Sequence, residues 1–227
     1  MDIPPAPAPA AYAVRMALIY DAELRPGKIE LITGWLPGAV WFPSNEPVPV
    51  RKLCSFRFDD PEGAVGIETL IVAAGPHTVQ VPLTYRDAPL DGADRFLITE
   101  MEHSVLGRRW VYDGAGDPVY AAALEAALFS KQGQAPQYTE RNGARELLPE
   151  SMRVFSTGMP SGAELVDAPA SEPGDWAVSV LERGGWDLSV VRLLDLEGRT
   201  APDPSLQATW ADQDVAVVLA WGMPQAD

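Results

Sequence analysis

Cysteine, histidine and lysine are scarce in this chain, and each scarcity removes a class of function. One cysteine, Cys54, among 227 residues excludes an intrachain disulfide framework. It falls in the strand-like stretch 50–58 and is expected as a small core residue. Two histidines, His77 and His103, together with that cysteine supply no zinc-ligand spacing of the C-x-x-C or H-E-x-x-H kind, so no metal is expected. No phosphate loop, no G-x-G-x-x-G and no G-x-S-x-G elbow occurs, which leaves no cofactor and no nucleophilic triad to expect.

Long apolar runs are missing too: none approaches the ~20 residues of a membrane-spanning helix. The Pro/Ala-rich start lacks a basic region followed by an apolar one, so it does not read as a secretory signal. The expected compartment is a reducing cytoplasm. Positive charge is short as well, 17 basic against 32 acidic residues for a net charge of −15. Such a surface repels phosphate backbones and anionic lipid, so neither nucleic acid nor membrane is an expected partner.

What the chain has is ordinary globular material, 47% hydrophobic and 22% charged, punctuated by 22 prolines and 19 glycines. That mixture implies many turns and short strands around a substantial core rather than a helical bundle. Residues 1–15 read as a flexible arm, and 17–22 as a short strand. Pro26 begins a helix with Ile29, Ile32 and Leu36 on one stripe, ended by Pro37-Gly38. Strands follow at 48–58, 64–74, 77–86, 95–101 and 108–112, with connections short enough to favour antiparallel neighbours in a meander. Asp117-Pro118 opens a second helix running to about residue 131. Residues 133–149 are loop-like with a small hairpin about 141–144. Short strands at 152–155 and 164–166, then hairpins 176–194 and 206–221, make a second β-rich section.

The stretch Glu102–Leu124 concentrates the candidate binding residues: His103, Arg108, Arg109, Trp110, Asp113 and Asp117. Arginines beside a tryptophan can recognise an anion or an acidic partner face. On a strand, however, Arg108 and Trp110 face one side while Arg109 and Val111 face the other. One arginine is then expected to pair with an acid such as Glu102 and the other to be solvated. Asp113 and Asp117 flank Gly114-Ala-Gly116 at a helix start, where they cap amides and would repel a phosphate. No catalytic residue is assigned.

Several ordered segments carry a family resemblance: Trp35-Leu-Pro37 with Trp41, Phe56-Arg-Phe-Asp-Asp60, Gly66-Ile-Glu-Thr-Leu70, Val81-Pro-Leu-Thr-Tyr85, and Glu102–Leu124. Together they resemble the maltokinase N-terminal cap-like domain over about residues 16–130, with the later strands similar to the tail of stand-alone actinobacterial members. The resemblance implies a curved antiparallel sheet with helices packed on it. It also implies a place in maltose, trehalose, glycogen or aminosugar metabolism. The kinases of this group need a phosphate loop, a strand lysine and a catalytic-loop aspartate. Here the only lysines are Lys28, Lys52 and Lys131, Arg192 stands where the strand lysine would be sought, and no H-R-D-like segment exists.

The expected fold is therefore α+β: an arm (1–15), a cap-like domain (16–133), a linker (134–150), and a β-rich section (151–227) that keeps the strands of a kinase-like N-lobe without its catalytic groups. The expected function is non-catalytic, binding or regulating a protein partner in sugar metabolism. Self-association through sheet edges is a further expectation. The competing expectation is a small-molecule binding protein or enzyme that holds a sugar, sugar phosphate or nucleotide on the concave sheet face.

Overall fold

A computed structural model describes residues 18–19, 23–130, 132–141, 144–158 and 177–225. The arm, the candidate strand 164–166 and the loop leading to residue 176 lie outside the described residues. The first half opens with β1 (Leu18–Ile19), β2 (Leu24–Arg25) and α1 (Lys28–Trp35), which tightens into a 3₁₀ turn at Leu36–Gly38. Then come β3 (Val50–Phe58), β4 (Gly66–Ala74) and β5 (His77–Arg86). A 3₁₀ turn at Asp94–Phe96 leads into β6 (Leu97–His103) and β7 (Gly107–Asp113). α2 (Pro118–Phe129) is followed by β8 (Tyr138–Arg141) and β9 (Ala144–Leu147), the hairpin expected in the polar loop. The second half contributes β10 (Met152–Ser156), β11 (Val178–Arg183), β12 (Trp186–Val191), β13 (Ser205–Trp210) and β14 (Gln213–Pro224).

A curled six-stranded antiparallel sheet runs β2-β6-β7-β5-β4-β3, and a five-stranded one runs β10-β13-β14-β12-β11. A small third sheet joins β1 to the β8–β9 hairpin. The described residues are mainly β with two short helices, so the α+β expectation holds coarsely, with strands dominating. The simple meander needs correction. Strand β5 pairs with β7, not β6, because the connection 87–96 carries β6 past its neighbour.

That crossing leaves a vacancy along β5. Strand β7 covers only Leu83–Arg86, so the earlier edge of β5 needs other hydrogen-bond partners. The end of the second sheet supplies them: Gln80 N–H donates to Arg192 O at 2.9 Å and Leu194 N–H to Thr78 O at 2.8 Å. Residues 192–194 thus continue the line of β7, and Val79 bridges Leu193 antiparallel.

Alternation along the strands divides the core in two. One cluster lies under α1 and joins Leu31, Ile32 and Leu36 to Leu70, Val72, Val79, Val81, Leu83, Met101 and Val111. The other lies between the sheets. It unites Phe56, Ile67 and Ile71 of the first half, Tyr120, Leu124 and Leu128 of α2, and Leu188, Val190, Val217 and Leu219 of the second. Gln80, only 1% exposed, donates its side-chain amide to Val191 O and Leu219 O, both at 2.9 Å. Two buried carbonyls are thereby satisfied by a residue from the opposite half.

Candidate functional site

The strand–turn–helix unit 107–129 is built from short-range rules. Asp113 ends β7 and its carboxylate accepts from Ala115 N–H at 3.2 Å, closing the 3₁₀ turn Gly114–Gly116. Gly116 is required for space: a Cβ there would run into the ring of Phe96. Asp117 then caps α2, accepting from Val119 N–H at 2.9 Å, with Pro118 in the first turn where its missing donor costs nothing.

Both aspartates are also claimed by arginines from elsewhere. Arg86 forks onto Asp117 through Nε and Nη2, each at 2.7 Å. Burial works to raise the pKa of Asp117, but the hydrogen bonds from Arg86 and the positive charge behind them hold it below the usual carboxylate range. Arg192, fully buried, reaches Asp113 with Nη2 at 2.8 Å from each carboxylate oxygen. Its Nε donates to Ser179 Oγ at 2.8 Å, and its guanidinium carbon lies 4.9 Å from the Trp41 ring centroid. The helix N-terminus is therefore closed by its own acids, each tied to a cation.

The remaining predicted residues lie on two opposite faces. Arg108 pairs with Glu100, diagonally placed across the β6–β7 ladder, rather than with Glu102, and lies 5.1 Å over the Trp110 ring. Arg109 takes the other face, opposite buried Met101. His103 accepts from Val105 N–H and Leu106 N–H at its Nδ1, at 3.2 and 3.1 Å, which pins the turn to Gly107 in its left-handed conformation (φ 74°). Partial burial, then the charges of Arg109 and Lys28, push the His103 imidazole below its ordinary value. His103 and Arg109 thus share a face with Lys28, while Arg108 and Trp110 point away.

A charged group not singled out from the sequence lies under α1. Glu68, on β4, is 3% exposed and accepts from Lys28 Nζ at 2.5 Å and from Tyr85 Oη at 3.3 Å. Burial opposes its ionisation, but Lys28 and Arg57 outweigh it, so the carboxyl stays below its usual range. Tyr85 is pushed the other way, by burial and then by the Glu68 charge. Glu68 is a lone acid in an otherwise apolar β-pattern, and that break in the alternation was the available signal. Arg192 carries the same signal in Val190-Val-Arg-Leu-Leu194, although its partner is 79 positions away.

No group of three or more His, Cys, Asp or Glu suited to a metal ion occurs among the described residues, and no helix there is long and apolar enough to cross a membrane. Cys54 is buried and its thiol is pushed up to about 12, chiefly by desolvation. Residues 35–117 match the family model of the maltokinase N-terminal cap domain, a span from the end of α1 to the cap of α2. No curated protein matches the chain.

Proposed function

We propose, from the maltokinase N-terminal cap domain carried by residues 35–117, that this chain is a non-catalytic cap acting on a partner enzyme of maltose, trehalose, glycogen or aminosugar metabolism. The observation that carries this reading is the closure of the strand–turn–helix unit. Its two aspartates are engaged by Arg192 and Arg86 and serve as caps, leaving neither as an acid, base or metal ligand. The sequence agrees, since its 227 residues hold none of the phosphoryl-transfer motifs of a kinase lobe. We further propose that residues 151–222 derive from a kinase-like N-lobe. Support comes from five antiparallel strands with α2 against them, and from Arg192 in a buried ion pair just past the end of β12.

The test is to titrate the purified chain into a maltokinase-type kinase and follow both complex formation and phosphoryl transfer to the sugar. Saturable binding with a changed turnover is the expected result. ATP hydrolysis or sugar phosphorylation by the chain alone would overturn it.

A further inference from the structure

The face of the six-stranded sheet under α1 collects positive charge in a chain whose overall charge is −15. Lys28 on α1 and Arg57 on β3 both act on the buried Glu68, as does Lys52, so three cations surround one carboxylate. Lys28 neutralises it directly, and its ammonium also lies 5.7 Å from the Tyr85 ring centroid. The same face continues to Arg109 and His103, where the field is again positive.

Arg57 is the unusual member. It stands opposite Glu68 in the β3–β4 register, yet it makes no ion pair with it, because Glu68 is already taken by Lys28 and Tyr85. Its Nε is buried and has no hydrogen-bond acceptor among the described residues. An unanswered buried donor on a cation calls for an explanation. Gly66 supplies the room for this side chain. A Cβ at Gly66 would sit 3.3 Å from Arg57 Nη2 and 3.5 Å from Tyr85 Cβ, so a side chain at that position would crowd the guanidinium. A guanidinium offers the planar donor geometry that carboxylates and phosphates accept.

We propose that Arg57, seated over Gly66 beside Tyr85 and supported by Lys28, is a binding site for an oxyanion, the phosphate or carboxylate group of a small soluble ligand. Lys28 and Tyr85 both hydrogen-bond to one oxygen of Glu68, and the ammonium offsets the repulsion that this carboxylate would exert on such a group. The site is separate from the strand–turn–helix unit, and it stands or falls independently of the partner reading above.

The experiment is calorimetric titration of the full chain at low ionic strength with inorganic phosphate in one arm and acetate in the other. Three variants accompany it: Arg57→Gln, Gly66→Ala and Arg153→Gln. Gly66→Ala keeps every charge while filling the seat, so it separates a built site from diffuse attraction and serves if Arg57→Gln does not fold. Arg153, on β10 of the other sheet, controls for net charge. Saturable binding is expected for the wild type and Arg153→Gln, weakened at least about tenfold in the other two, which corresponds to ~1.4 kcal/mol. Phosphate without acetate assigns a phosphoryl ligand, and acetate without phosphate a carboxylate. The proposal is overturned by the absence of saturable binding in both arms. It is equally overturned by undiminished binding in Gly66→Ala, or by an equal loss in Arg153→Gln.

Discussion

Arg192 and Asp113 are 79 positions apart, and one guanidinium nitrogen of the first bridges both carboxylate oxygens of the second at 2.8 Å. The pair closes the junction at which β7 stops and residues 192–194 take over the edge of β5. It is a buried contact between the two sheets, and its removal is the most direct test of how they are held.

Arg192→Ala leaves Asp113 charged and without its counter-ion in a buried setting. A loss of about 3–5 kcal/mol is expected, as for other buried pairs broken from one side. Replacing both residues, Arg192→Met with Asp113→Asn, is expected to recover a large part of that loss. Urea unfolding of the two singles and the double checks it, and strictly additive losses would show that the two groups are not coupled.

Asp117→Ala removes the cap of α2 and strands Arg86. The cap alone accounts for about 0.5–2 kcal/mol, and the orphaned half-buried arginine adds to it. Asp117→Asn keeps a capping oxygen but not the charge, so its loss is expected to be smaller. A thermal melt in which the asparagine and alanine variants coincide would place the whole effect in the ion pair.

Acid should weaken the fold through Glu68 and Asp117, whose folded values lie below their ordinary 4.5 and 3.8. A depressed folded value means that the stabilisation is complete above the unfolded value and is lost as pH falls through the folded one. Urea midpoints are therefore expected to be level near neutrality and to decline below about pH 4.5. Glu68→Gln should flatten part of that decline, and an unchanged slope would exclude Glu68 as its source.

Cys54 should be silent towards thiol reagents in the native protein. Its thiol, pushed up to about 12, is almost wholly protonated at neutral pH, and the side chain is 1% exposed. Mass spectrometry after alkylation is expected to show modification only once the chain is unfolded in denaturant.

Local patterning carried most of the elements. His77–Arg86 is a strand over the residues that its flanking turns imply, and Asp117-Pro118 opens α2 as a capped helix should. The alternation that placed Arg108 and Arg109 on opposite faces also held, because a strand has no means of turning one side chain without its neighbour. What local patterning could not carry was the company each residue keeps. Asp113 and Asp117 read as turn and cap residues, which they are, but their arginines come from Arg192 and from β5. The order of the six-stranded sheet was hidden for the same reason. Connection length selects antiparallel pairing, but not which of two later strands arrives beside β5.

The side-chain amide of Gln80 depends on carbonyls made 111 and 139 residues later. A chain emerging from a ribosome exposes β5 long before Val191 or Leu219 exists, so its early edge lacks its partners until residues 192–194 are made, and this amide lacks its second carbonyl until Leu219 is. Nascent chains stopped before residue 192 are expected to remain open to protease along the early edge of β5. In that sense the first sheet is finished by the second half.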